Sequence, residues 1–399
     1  MTTAYLVSGK RTPVGRYGGA LASIRPDDLA ALTIKSVIDE AGIDPALVDE
    51  VFLGNANGAG EENRNVARMA WLLAGFPDTV PGITVNRLCA SGMSAIALAT
   101  AMIESGQAEI IVAGGVESMS RAPWVVEKPT TAFAKPGEAF DTSIGWRFVN
   151  PIFQQQEKTT FSMPETAEEV ARVKSVSRED ADAFAVQSQQ RAIQAVKGGR
   201  FNPEIVPVKV TDRKGNVTVV DTDEGPREGT TPEVLAKLRP VVEGGAVVTA
   251  GNSSSLNDGA SAIIVASAEA VKKYGLKARA KVVANASAGL EPEIMGMGPV
   301  PATRKVLERT GWSIDDLDAV ELNEAFATQS VACMRELGLD SNIVNAWGGA
   351  IALGHPLGSS GSRITITLLN RLEQDEGIRG IATMCVGVGQ GSAIAIERV

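Results

Sequence analysis

The chain has one histidine, His355, and three cysteines, Cys89, Cys333 and Cys385, among 399 residues. That scarcity excludes a good deal. A structural zinc site takes about four ligands, so it would have to recruit nearly every soft ligand in the chain. The cysteines are widely separated and none forms a Cys-x-x-Cys pair, which fits neither a disulfide framework nor a zinc motif. No apolar run approaches the ~20 residues that a membrane span needs. Basic residues are also short, 38 Lys and Arg against 47 Asp and Glu. The formal charge of −9 argues against a general nucleic-acid binder, which carries a basic face. The opening MTTAYLVSGKRTP reaches Lys10 and Arg11 before a signal-peptide core could form, and the ending IERV is not a peroxisomal address. The expectation is a cytoplasmic protein without a membrane span. Its remaining distinctive chemistry is two or three thiols and a single imidazole.

What is present is an ordinary globular balance, 44% hydrophobic and 21% charged, with 41 glycines. This length suits two or three domains. The chain also repeats itself. Residues 35–55, KSVIDEAGIDPALVDEVFLGN, align without gaps with residues 304–324, RKVLERTGWSIDDLDAVELNE. Val37 matches Val306, Gly42 matches Gly311, Asp49 matches Asp318 and Leu53 matches Leu322. Each copy reads as an amphipathic helix stopped by glycine, an Asp-bearing connection and an apolar strand. A second pair follows in the same order, VNRLCASGMSAIALA from Val85 and VNAWGGAIALGHPLGSSG from Val344. The reading is two α/β halves with mixed or parallel sheets covered by helices. The N-terminal half takes 1–120 plus 248–270, and the C-terminal half takes 271–399. Between them, 121–247 reads as an inserted loop-rich domain with a charged hairpin, VKVTDRKGNVTVVD, and one helix, EDADAFAVQSQQRAIQAVKGG, with an acidic start and a glycine stop.

Cys89 falls where a strand-like run gives way to a helical pattern, which places its thiol at a helix N-terminus. There the helix dipole lowers a thiol pKa. A buried inert cysteine is the alternative for a free Cys. His355 lies in a glycine-rich connection before a helix, a setting that favours function over packing. Cys385 precedes Gly387, Gly389 and Gly391, whose backbone N–H groups are expected to be free to face an oxyanion. If the halves pack about a pseudo-twofold axis, these three residues converge. Two thiols and one imidazole suit acyl transfer between thioesters.

The motifs VNRLCASG, GGVESMSRAP, VTAGNSSSLNDGA, LNEAFA, GGAIALGHPLGSSG and CVGVGQG stand in the order in which thiolases carry them. The chain thus resembles a thiolase (acetyl-CoA C-acyltransferase) from RTPVGRYGG to its end. The resemblance implies duplicated βαβαβαββ halves in a five-layer αβαβα sandwich with an inserted loop domain, used for CoA binding and oligomer contacts. It implies reversible, CoA-dependent cleavage of a 3-ketoacyl-CoA, with acetyl-CoA as one product, by a ping-pong route. Cys89 would be the acyl-accepting nucleophile, and His355 its base and part of an oxyanion hole. Asn323 would hold the water completing that hole. Cys385 would move the proton on the acetyl-CoA carbon, and the N–H groups of Cys89 and Gly387 would form a second hole. Ser254 would lie near the pantetheine, Arg227 beside the adenine nucleotide, and Met163 and Met295 along the acyl and pantetheine pocket. For the methionines, ordinary core packing is the alternative. No cofactor is expected to be bound permanently, coenzyme A and acetyl-CoA being substrates. The partners implied are CoA and acyl-CoA and a second or further copies of the chain, a homodimer or homotetramer.

The chain departs from the family at three points: Val388 and Ser255 replace glycines, and Ser162 stands where acetoacetyl-CoA thiolases often have histidine. Between Arg191 and Arg239 there are nine Lys and Arg against seven Asp and Glu, two more positive than negative. Such a rim suits the anionic phosphates of CoA, although a solvated mixed surface has the same composition. The segment DTSIGWRFVNP, residues 141–151, resembles that of 3-oxoadipyl-CoA thiolases. It places Arg147 between Trp146 and Phe148, where the cation could pair with a distal carboxylate or serve in a structural contact. Acetoacetyl-CoA and fatty-acyl substrates stay open as alternatives. A decarboxylating condensing enzyme would need a second histidine or an asparagine in place of Cys385. A non-catalytic acyl-CoA carrier would have lost one of the three residues.

Overall fold

The computed structural model describes residues 2–156 and 158–399. The first half runs β1 (Ala4–Arg11), α1 (Pro26–Ala41), β2 (Glu50–Gly54), α2 (Val66–Leu73), β3 (Gly82–Val85), α3 (Ser91–Glu104) and β4 (Ile110–Ser118). The chain then leaves for the inserted segment, which carries α4 (Met163–Lys174) and α5 (Arg178–Lys197), and returns as β5 (Asn257–Ser267). The second half comprises β6 (Ala280–Gly289), α6 (Pro299–Thr310), β7 (Ala319–Leu322), α7 (Ala327–Leu337), α8 (Leu357–Gln374), β8 (Arg379–Val386) and β9 (Gln390–Arg398).

The repeat in sequence is a repeat in structure. α1 stops at Gly42 with φ 65° and α6 at Gly311 with φ 70°, a left-handed conformation in which only glycine is at ease. A one-turn 3₁₀ helix follows each, then a strand. Asp49 accepts the N–H groups of Glu109 and Ile110 at 2.7 and 2.9 Å. Asp318 accepts those of Ile378 and Arg379 at the same distances. Each aspartate therefore pins the start of the strand that runs parallel to its own.

The main sheet has the order β7-β8-β9-β6-β1-β5-β4-β2-β3, with Gly15–Arg16 adding a short tenth strand on β5. β2 is parallel to β3 and β4, and β7 to β8; the other named pairs are antiparallel. The halves join where Tyr5 pairs with Lys281 and Leu6 with Ala280. Outward from that junction the order is mirrored, and a lone parallel bridge, Val320 to Val344, stands where the counterpart of β3 would be.

α3 and α8 lie back to back between the two halves of the sheet. Met93 and Ile96 of α3 share one core with Ile364 and Leu368 of α8. Their first turns touch backbone to backbone. A Cβ on Gly92 would sit 2.6 Å from Ser362 Oγ, and one on Gly361 would sit 2.5 Å from the Met93 nitrogen. With α1 and α2 outside one half and α6 and α7 outside the other, the layers are αβαβα. The inserted segment is more helical than its composition suggested. α4 and α5 each open on a capping box, Ser162 with Glu165 and Ser177 with Asp180. The charged hairpin forms between Val208–Thr211 and Val217–Val220. A buried Arg11, bonded to Glu204 at 2.6 Å and to Asp223 at 2.6 and 2.9 Å, fastens this segment to β1.

Candidate active site

The glycine contact between α3 and α8 positions the site, because Cys89 stands two residues before α3 and His355 two residues before α8. Both line one cavity of about 360 Å³, together with Cys385. Cys89 is half-buried, and its own N–H and that of Gly387 point at its sulfur. The expectation that the helix terminus depresses its pKa is corrected here. Removal from water outweighs the N–H groups and pushes the thiol up to about 11. Burial likewise holds His355 down to about 3, with the nearby Arg363 cation acting in the same direction. The resting pair is therefore a neutral thiol and a neutral imidazole.

The tautomer of that imidazole follows from its neighbours. Ser360 Oγ donates its proton to the Pro356 carbonyl at 2.8 Å and lies 2.6 Å from His355 Nδ1. Nδ1 must then carry the ring proton, which leaves the Nε2 lone pair free to act as a base. Asn323 Nδ2 is 3.4 Å from Nε2. Its Oδ1 is buried with no partner among the described residues. An orphaned acceptor beside the imidazole is what a water-holding residue would present. Below the ring, Asn257 Oδ1 accepts the His355 N–H at 2.8 Å. Gly354, at φ 109°, has no room for a Cβ against that same amide.

Cys385 is buried, and burial raises its thiol well above the ordinary range, with Cys89 as the next cause. It packs with Met163, Met295 and Phe326. Both methionines line the cavity as well, so the packing and pocket readings hold together. Of the three glycines after Cys385, Gly387 alone is directed at Cys89 among the groups described around that sulfur. Gly389 and Gly391 serve close packing, since a Cβ would lie 2.2 Å from the Leu290 carbonyl oxygen and 1.9 Å from that of Gly298. Val388 adopts φ 61°, which explains why a glycine suits this position and what its replacement costs.

A second cavity of about 210 Å³ shares Cys89, Met163 and Leu357 with the first and extends to Leu88, Gly387, Val388, Asn57 and Arg147. Ser254 and Ser255 line the first cavity. Arg227 is exposed and belongs to neither lining. Ser162, the N-cap of α4, lines both. Among the described residues no group of three His, Cys, Asp or Glu side chains is arranged to hold a metal ion, and no helix is long and apolar enough to cross a membrane.

Sequence reasoning missed Ser360, Asn257, Asn57 and Glu117. Ser360 and Asn257 lay inside motifs already singled out, GHPLGSSG and GNSSSLNDGA, and a search for partners of the lone histidine would have weighed them. Glu117 likewise stands in GGVESMSRAP, whereas Asn57 lies in none of these motifs. Glu117 is buried at the end of β4, accepting N–H bonds from Ala56 (2.9 Å), Asn57 (3.1 Å) and Gly358 (2.8 Å). Burial pushes it up to about 7 against those three bonds. It ties the loop after β2 to the first turn of α8.

The thiolase N-terminal domain family matches residues 4–269 and the thiolase C-terminal domain family residues 276–398. A beta-ketoadipyl-CoA thiolase of Pseudomonas knackmussii is 57% identical over 398 residues, 99% of either chain. The 3-oxoadipyl-CoA/3-oxo-5,6-dehydrosuberyl-CoA thiolase of Escherichia coli K12 is 53% identical over the full length of both. The crystal structure of the Bacillus anthracis acetyl-CoA acetyltransferase superposes with a TM-score of 0.94 at 40% identity, covering 100% of this chain and 99% of that one. Two family matches that follow one another along nearly the whole chain, and relatives alike from end to end, make this chain a member of the thiolase family of acyltransferases.

Proposed function

We propose that this thiolase cleaves 3-oxoadipyl-CoA with coenzyme A to acetyl-CoA and succinyl-CoA. The observation that carries the substrate is the full-length likeness, above 50% identity, to enzymes named for that substrate. His355 Nε2 takes the Cys89 proton as the sulfur attacks the 3-keto carbon, so the thiol need not be ionised at rest. The oxygen of that carbon gathers charge where the N–H groups of Cys89 and Gly387 converge on the sulfur. Breaking the C2–C3 bond releases the acetyl-CoA enolate, which Cys385 protonates. Imidazolium N–H and a water on Asn323 support the enolate oxygen. Coenzyme A then attacks the succinyl thioester on Cys89, and the reverse sequence is the condensation.

Met163, Met295 and Ser254 flank the pantetheine arm from the first cavity, and Arg227, exposed beyond it, faces the adenine nucleotide. The inserted segment, 121–247, contributes this binding surface and oligomer contacts. We read the enzyme as a cytoplasmic homodimer or homotetramer. Support comes from the outer strand β3, which pairs only with β2 and exposes Ile83, and from the exposed Trp124 and Phe133 of the insert. Light scattering of the purified chain tests the assembly. The substrate is tested by kcat/KM across 3-oxoadipyl-CoA, acetoacetyl-CoA and longer 3-ketoacyl-CoAs. A clear preference for acetoacetyl-CoA would replace this reading with that of an acetyl-CoA acetyltransferase.

A further inference from the structure

The second cavity is apolar along most of its wall, and among the described residues Arg147 is the one charged side chain in its lining. Cys89 lies in the same lining, so whatever acyl group the sulfur carries has this cation within its space. Some half-buried arginines are matched with carboxylates, as Arg121 with Glu61, Arg178 with Asp182 and Arg279 with Glu373, and others, such as Arg68 and Arg191, spend two or more donors on backbone carbonyls. Arg147 has no carboxylate partner among the described residues. Its recorded bond is Nη2 donating to Asn57 Oδ1 at 3.1 Å.

That bond is held from behind. Asn57 Nδ2 donates to the carbonyl and the hydroxyl of Thr142 at 2.9 and 3.0 Å, which fixes the amide with its oxygen toward Arg147. The Asn57 backbone is anchored on Glu117. On the other side, Phe148 sits at φ 50°, uncommon for a bulky residue, and packs edge-on against Phe140 with ring centroids 5.4 Å apart. A guanidinium offers five N–H donors, and one is engaged. A fixed cation with donors to spare, in a largely apolar pocket that holds no anion among the described residues, suits an anionic ligand.

We infer that Arg147, positioned by Asn57, binds the distal carboxylate of a dicarboxylic acyl chain and selects such chains over neutral ones. The inference rests on the substrate reading above and deepens it. A succinyl group on Cys89 carries its carboxylate three carbon–carbon bonds from the thioester carbonyl, beside the cavity that Cys89 and Arg147 both line. Trp146 is not needed for the charge: its indole N–H is spent on the Phe161 carbonyl at 3.2 Å.

The test is the ratio of kcat/KM for 3-oxoadipyl-CoA to that for 3-oxohexanoyl-CoA, which has the same chain length with a methyl in place of the carboxylate. In Arg147→Ala this ratio should fall by about 30- to 1,000-fold, the scale of stripping one partner from a hydrogen-bonded charge pair. Arg147→Lys should recover part of it, because a point charge replaces a fork. Asn57→Asp, which gives Arg147 an internal carboxylate, should lower the ratio mainly through KM for the dicarboxylic substrate. Stoichiometric acetylation of Cys89 by acetyl-CoA checks that each variant is folded, and Arg147→Gln replaces the alanine variant if that one is not. A wild-type enzyme indifferent to the two substrates would overturn the substrate reading and this inference with it. A wild type that prefers 3-oxoadipyl-CoA, with the ratio unchanged in Arg147→Ala or Arg147→Gln, would overturn the inference alone.

Discussion

The two halves follow the same path and do different work, and the difference is visible at single positions. The place that Gly54 holds at the end of β2 belongs to Asn323 at the end of β7. In the first half a side chain is forbidden there, since a Cβ would come within 2.2 Å of the Gly92 nitrogen. In the second half the same place is open toward the imidazole, and an asparagine reaches it. Val116 of β4 is buried in an outer hydrophobic core, while Cys385, its counterpart on β8, faces the cavity. Cys89 and His355 share a station, two residues before the central helix of each half. Duplication built the frame twice. One site resulted because each half gave up, for packing, the places that the other used for chemistry.

The sharpest test of that division sets one cysteine against the other. Cys89→Ser should lower thiolysis by about 10⁴-fold or more and abolish acetylation by acetyl-CoA, because serine is far harder to ionise. Cys385→Ala should still become acetylated while losing carbon–carbon cleavage. Mass spectrometry of the acetyl-enzyme separates the two, and equal loss of both steps in Cys385→Ala would end the proposed division of labour. Next come the paired positions. Asn323→Ala should lower kcat by about 10²- to 10³-fold, the scale for one oxyanion-hole partner, with its melting temperature little changed. Gly54→Ala should instead unfold the protein, costing about 4 kcal/mol or more. A soluble, active Gly54→Ala enzyme would show that the halves are less constrained than their packing implies.

Much of this asymmetry could not be seen in the chain itself. The duplication was legible because glycine stops and pinning aspartates recur at fixed spacing, and these are local devices. Cys89, His355 and Cys385 stood out through rarity in a chain poor in soft ligands. Of the insert's two long helices, α5 was legible from its acidic start and glycine stop, and α4 was not, since it lies in a polar stretch whose start is marked only by Ser162 and Glu165. Asn57 and Glu117 act through partners about 60 to 240 residues away, and no periodicity announces such contacts. The polarity of Cys89 was misjudged for a related reason. A helix terminus can be read from sequence, but the burial that overrides it cannot.

A smaller effect concerns His355, whose pKa burial holds below its ordinary 6.5. The native state declines a proton that the unfolded chain accepts, so the stability owed to this group is complete above pH 6.5. It declines as pH falls from 6.5 toward about 3. His355 is the one histidine in the chain. Relative to wild type, His355→Gln should therefore lose about 1–2 kcal/mol less between pH 6.5 and 5.0 in urea titrations. Acetylation of Cys89 by the wild type should show no acid limb near pH 6.5; an inflection there would mean that the imidazole is not neutral at rest. The smallest effect belongs to Val388. Replacing a left-handed valine by glycine relieves roughly 1–2 kcal/mol of strain and costs about 0.5–1 in chain entropy. Val388→Gly should raise Tm by about 1–3 °C, whereas the same change at the right-handed Val306 of α6 should lower it.

The contact of Gly92 with α8 sets the spacing of Cys89 and His355 through the two duplicated halves alone. Much of the wall of the neighbouring cavity comes from elsewhere, from Thr142 to Arg147 and from Phe161 to Met163 of the insert, with Asn57 of the first half beside them. On the proposed reading, reaction and selectivity therefore reside largely in separate stretches of the chain. A family built this way can change its diet by rewriting one excursion between β4 and β5, leaving its catalytic machinery out of the trial.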